Sequence, residues 1–109
     1  MVRTMSNHPY VIVKNAIFPL GEVVATMAIG ELMEEGKEQT EWVLACLNRH
    51  AGGDWGDLVD EDKKANDEAL SESYPDRIFS AYVHEEYGKI WIITEWDRTI
   101  TTILRPEEY

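Results

Sequence analysis

At 109 residues the chain has room for one hydrophobic core but not for two. Twenty-one acids against ten bases leave a net charge of −11, which repels the nucleic-acid backbone and anionic lipid and favours a protein with a basic surface as partner. The single cysteine, Cys46, excludes an internal disulfide, and no Cys/His cluster forms a zinc-finger pattern, so a reducing, cytoplasmic setting is the expectation.

Taken in chain order, residues 1–17 read as an N-terminal extension and residues 18–109 as one α+β domain. Met1 to His8 reads as a frayed tail, and Tyr10 to Val13 as a β-type run able to add an edge strand. The apolar stretch there is short and broken by Lys14 and Asn15, so neither a signal peptide nor a membrane span is expected. Phe18-Pro-Leu-Gly21 reads as a turn with an apolar anchor. Glu22 to Ala25 then leads to Thr26, the expected N-cap of a helix that carries Met27, Ile29, Leu32 and Met33 and ends at Gly36. A second helix starts at Thr40. Trp42, Cys46 and Arg49 or His50 follow one of its faces, Val43, Leu47 and Ala51 the neighbouring one, and Gly52 and Gly53 stop it.

Asp60 to Leu70 has acids first and lysines later, an order that suits a short helix through its macrodipole, with Ala65, Ala69 and Leu70 as a thin apolar contact. Ser71 to Asp76 is a connector. The period then changes. Arg77 to His84, Lys89 to Glu95 and Thr99 to Leu104 are rich in β-branched and aromatic residues, and their short connections predict an antiparallel meander. On the middle strand Ile90, Ile92 and Thr94 alternate with Trp91, Ile93 and Glu95. One face is expected to take the helices, the other the N-terminal segment or a second copy in a homodimer. The predicted architecture is α+β, two or three helices packed on a three- to four-stranded antiparallel sheet with a C-terminal β-meander.

The stretch most able to carry function runs from His50 to Asp62, where three glycines and Trp55 sit among carboxylates. Residues 50–76 hold nine acids and two lysines, so seven of the eleven excess negative charges lie there. His50, Asp54 and Asp57, if they converge at the end of the second helix, can hold a divalent metal ion or act as a general base with its orienting partner. The spacing is not diagnostic, and a structural role is favoured over this: helix-terminal histidines commonly meet the last carbonyls, and aspartates beside glycine commonly make side-chain turns. Asp60, Glu61 and Asp62 lack the ligand order of a calcium loop and suit a helix start. Trp55 reads first as a plug that packs the loop and second as a contact residue. Trp96, in the turn Glu95-Trp-Asp-Arg98, has no evident core to enter and is a candidate contact residue. Cys46, between Val43 and Leu47, reads as core. No nucleophile elbow, dinucleotide turn or phosphate loop is present.

Phe18-Pro-Leu-Gly21, Arg49-His50, Gly53-Asp-Trp-Gly-Asp57, Glu61-Asp-Lys63, Ile90-Trp-Ile-Ile-Thr-Glu95, Asp97-Arg98 and Thr101-Thr-Ile-Leu104 together resemble a family of short bacterial proteins. That family travels on plasmids and integrative elements and is often labelled plasmid-related or type I restriction subunit M. The resemblance spans about residues 18 to 109 and implies a mobile-element setting. The chain holds no methyltransferase motif and is too short for that subunit, and the family lends no catalytic residues. It departs from the pattern in its leading segment and at Trp96, bulky where the family carries a small residue.

The expected function is therefore a non-enzymatic acidic interaction module of a mobile element that inhibits a restriction or CRISPR defence enzyme by presenting carboxylates to its basic groove. Asp54, Trp55, Asp57, Asp60, Glu61, Asp62 and Trp96 are the expected contact residues, with no cofactor, no direct nucleic-acid binding and no membrane partner. The alternative is a metal-binding protein or metal-dependent enzyme using His50, Asp54 and Asp57.

Overall fold

The strongest β-formers sit towards the two ends of the chain and meet in one sheet. The computed structural model describes residues 2–5 and 13–109. Its strands are β1 (Val2–Thr4), β2 (Glu22–Thr26), β3 (Ile78–His84), β4 (Gly88–Thr94) and β5 (Ile100–Leu104), in the spatial order β1-β2-β5-β4-β3. The meander is present: β3 pairs antiparallel with β4, and β4 with β5. The molecule belongs to the α+β class, with helices α1 (Met27–Glu34), α2 (Lys37–Ala51) and α3 (Asp60–Ala69).

Three expectations about the sheet need correction. It has five strands and is mixed, because β2 runs parallel to β5 and antiparallel to β1. Val2–Thr4 is an edge strand and not part of a frayed tail, while most of the Tyr10 to Val13 run lies outside the described residues. Glu22 to Ala25 is a strand and not a lead-in to a helix. Val23, Val24 and Ala25 are all buried, so the segment is apolar on both faces, as an interior strand must be. Its register is set where the Glu22 N–H donates to the Thr99 carbonyl at 3.0 Å and the Thr101 hydroxyl donates to the Leu20 carbonyl at 2.7 Å.

Helix ends also differ from expectation, for tertiary reasons. Thr26 occupies the N-cap position of α1 but makes no side-chain cap. Its hydroxyl donates to Glu108 at 2.6 Å, and the other oxygen of Glu108 accepts the Ala28 N–H at 3.2 Å. The cap therefore arrives from the C-terminal 3₁₀ turn, Pro106–Glu108. Thr40 lies inside α2, where its hydroxyl donates to the carbonyls of Met33 and Gly36 and ties the two helices together.

Helices α1 and α2 cover one face of the sheet. Ile29, Leu32, Val43, Cys46 and Leu47 meet Val23, Ala25, Tyr82, Ile90, Ile92 and Ile103 there. A smaller cluster of Phe18, Trp55, Ala69 and Ile78 closes the end where α3 lies. On the opposite face Phe79 and Trp91 meet edge to face at 5.0 Å, and Tyr109 lies against Trp91 at 5.7 Å. Among the described residues, no helix is long and apolar enough to cross a membrane.

Strand β3 lies at the border of the sheet, and its outward main-chain groups are met one after another. The Asn66 side chain accepts from the Phe79 N–H at 3.0 Å and donates to the Phe79 carbonyl at 2.6 Å. Ala81 donates to the Trp55 carbonyl at 3.3 Å and accepts from the Asp57 N–H at 2.7 Å. The Val83 N–H donates to the Asp57 carboxylate at 2.9 Å. Loop and helix thus close an edge that would otherwise invite strand addition. Asn66, buried and bonded, replaces Ala65 as the inward residue of α3; Ala65 is exposed.

Gly56 permits this approach. Its φ is +74°, and a Cβ there would stand 2.1 Å from the Ala81 carbonyl oxygen. Gly56→Ala is expected to destabilise the fold by at least about 3 kcal/mol, from left-handed strain and overpacking together. At Gly52, where a Cβ meets the Asn48 carbonyl oxygen at an ordinary 3.4 Å, alanine is expected to be neutral or to stabilise by up to about 1 kcal/mol. Urea denaturation of both variants checks the contrast.

Candidate functional site

The loop from Gly52 to Val59 leaves α2 and feeds α3, so its geometry decides what the acidic segment displays. Arg49, in the last turn of α2, reaches Asp54 with two hydrogen bonds of 2.7 and 3.2 Å. The same carboxylate accepts the Gly56 N–H at 3.1 Å, an aspartate turn of the expected kind. Tyr82 donates its hydroxyl to the Asp54 carbonyl at 2.7 Å, and the Arg49 guanidinium lies 4.7 Å from the centre of the Tyr82 ring. The hydrogen bond from Arg49 holds the Asp54 carboxyl below the usual carboxylate range.

His50 turns away from both aspartates. It is fully buried, with Nδ1 on the Ser80 hydroxyl and Nε2 2.9 Å from the Thr94 hydroxyl. A chain of hydroxyls fixes its tautomer. Thr101 gives its proton to the Leu20 carbonyl, so Thr94 must donate to Thr101 at 2.7 Å, and His50 Nε2–H must donate to Thr94. Nδ1 is then the acceptor for Ser80. Burial, then the charge of Arg98, pushes the imidazole pKa down to about 3, so the ring is neutral at physiological pH.

His50, Asp54 and Asp57 therefore do not form the site sketched from their spacing. The histidine bonds to hydroxyls inside the core, Asp54 to Arg49, and Asp57 to the Val83 main chain. Among the described residues, no group of three or more His, Cys, Asp or Glu is placed to hold a metal ion. The His50–Ser80 contact is a hydroxyl on an imidazole, as in nucleophilic catalysis. Both residues have no exposed surface and the third member is a threonine, which cannot stabilise an imidazolium as a carboxylate does. Burial likewise pushes the Cys46 thiol up to about 12, far from a reactive thiolate.

Trp55 is the plug. Only 4% of it is exposed, its ring lies 6.1 Å from Phe18 and 6.0 Å from His50, and its indole N–H donates to Asp67 at 3.0 Å. The ring offers a partner no face, which removes Trp55 from the contact residues. Asp60, Glu61 and Asp62 form the exposed first turn of α3, where their charge meets the positive end of the helix dipole. Trp96 is 58% exposed, but it sits beside Leu70 at the other end of α3, a helix about 15 Å long.

Arg98 satisfies main chain within its own turn and also reaches far beyond it. From a left-handed backbone, φ +59°, its guanidinium donates to the carbonyls of Ala69, Asp76 and Glu95 at 2.7, 2.7 and 3.1 Å. One side chain thus ties the end of α3, the connector and the β4–β5 turn. Its neighbour Asp97 accepts both the N–H and the hydroxyl of Thr99. The sequence signal was the Asp97-Arg98 turn itself, but its distant carbonyl partners lie up to 29 residues away. No protein-family model, curated protein or solved structure matches the chain.

A histidine that titrates near pH 6.5 when unfolded and near 3 when folded is protonated only in the unfolded chain across that interval. Its contribution to stability is complete above pH 6.5 and is lost as pH falls towards 3, by up to about 1.4 kcal/mol per pH unit. Between pH 7 and pH 5 this single group is expected to remove about 2 kcal/mol. His50→Gln, which keeps a donor and an acceptor but cannot titrate, should lose that slope while starting from lower stability at pH 7. Urea titrations of both proteins at the two pH values measure it.

Proposed function

We propose that this chain is a non-enzymatic acidic interaction module that docks the exposed side of α3 on a basic protein surface. One observation carries the reading: α3 is an acid-rich helix held firmly by its few inward residues. Asn66 bonds both main-chain groups of Phe79, Ala69 is packed in the smaller core, and Asp67 accepts the Trp55 indole N–H. Asp60, Glu61, Asp62 and Glu68 stand exposed on this fixed scaffold. Charges held by a rigid element are ordered before binding, so less conformational entropy is lost on association.

The mobile-element resemblance supplies the kind of partner, the basic nucleic-acid groove of a restriction or CRISPR defence enzyme. Carboxylates on α3 compete there for the lysines and arginines that hold phosphates. The net charge of −11 sets the chain against nucleic acid itself, and its one thiol, buried at Cys46, suits the cytoplasm.

Capture from a bacterial host with the full chain as bait, followed by titration of the purified pair, tests this. The retained partner is expected to be a nucleic-acid-binding enzyme that duplex DNA displaces. Its affinity should fall about tenfold or more between low and physiological salt. Combining Asp60→Asn, Glu61→Gln and Asp62→Asn should weaken binding and cost the fold only about 1 to 3 kcal/mol through the helix dipole. Equal affinity at both salt concentrations counts against the reading.

A further inference from the structure

The acids of α3 account for attraction but not for specificity, and the molecule offers an apolar feature at the far end of the same helix. A recess of 260 Å³ opens between the β4–β5 turn, the segment before β2 and the connector after α3. Ile17, Pro19, Leu70, Pro75 and Trp96 line it together with Glu72. Trp96 and Ile17 are 58% and 54% exposed, and Tyr74 on the adjoining connector is 83% exposed. Large side chains are held out of the core here by rigid surroundings. The Ile17 N–H donates to the Ala51 carbonyl at 2.9 Å, and Arg98 beneath the turn is committed to three carbonyls.

Charge decides the occupant. Glu72 lines the recess, and Glu68 and Asp76 line the neighbouring one beside Tyr74. The Arg98 guanidinium, at the recess itself, repels a cation from the interior while the rim attracts one. An aliphatic side chain flanked by a basic residue satisfies both conditions. We propose that this recess is the docking point for a basic segment of a partner protein, which inserts one aliphatic side chain beside Trp96 and sets an arginine or lysine against Glu72. This rests on the acidic-module reading above and names the surface that gives it selectivity. The indole face of Trp96 adds a cation–π contact for the same basic residue, and tryptophan is enriched among the side chains that carry binding energy at interfaces.

Two short synthetic peptides with blocked ends test the proposal on the full chain. One contains arginine and glycine only; in the other a leucine replaces the central glycine, so the charge is unchanged. Titration followed by calorimetry at low salt is expected to give the leucine peptide about tenfold higher affinity, the gain from burying one such side chain. Trp96→Ala should erase that advantage while lowering the affinity of the glycine peptide only by the lost cation–π contact, about two- to fivefold. Ile17→Ala, from another segment of the lining, should reduce it as well and gives an independent answer if one variant folds poorly. If leucine confers no advantage on the unaltered protein, or if the advantage survives in both variants, the recess is not the docking point, although the acidic module stands. If neither peptide binds, the acidic reading falls with it.

Discussion

The main-chain pairing of the Trp55–Asp57 segment with Ala81 is the constraint on which this half of the molecule depends. A border strand with unpaired N–H and C=O groups is open to addition of any extended chain. Here three successive outward-facing residues of β3 are answered by a loop main chain, a loop carboxylate and a helical amide. The close approach requires Gly56, the loop is bound to α2 through Arg49 and Asp54, and the helix that follows inherits its position from both. Removing the pairing would loosen α3 together with the charges it carries, because the Asp67 bond to Trp55 depends on the loop and would leave Asn66, Ala69 and the Arg98 contact to hold the helix.

A second constraint lies directly behind the loop. His50 sits within a relay that runs from the Ser80 hydroxyl on β3 through the imidazole to Thr94 on β4, Thr101 on β5 and the Leu20 carbonyl. Each hydroxyl passes its single proton in one direction, which leaves the imidazole one permitted tautomer. A buried polar chain of this kind stabilises only when every member is satisfied. It joins α2, three strands and the turn before β2 at one point, beside Phe18 and Trp55. The same burial that makes His50 useful as a joint makes it unavailable as a ligand or base.

The carboxylates of the acidic segment consequently divide into two groups with different work. Asp54, Asp57 and Asp67 accept hydrogen bonds from Arg49, from main-chain N–H groups and from the Trp55 indole, and so build the loop. Asp60, Glu61, Asp62, Glu68 and Glu72 are exposed along α3 and its exit. Proximity in the chain obscured this division. A glycine-rich acidic loop and an acidic helix start look alike in composition, yet one uses its charge inwards and the other outwards.

The α+β class, the meander, α2 and α3, and the plugging role of Trp55 were all legible in residue pattern, because each follows from periodicity, side-chain size or a local turn preference. The sequence by itself also determined the acidic character of the chain and the exposure of Trp96, placed in a turn with no evident core to enter. Only the tertiary structure decided that Glu22 to Thr26 is a strand, that Glu108 caps α1 from the other end of the chain, that His50 faces hydroxyls instead of aspartates, and that Arg98 ties three segments. In each of these the deciding partner lies far along the chain, and a hydrogen bond between distant residues leaves no period or spacing from which it can be read.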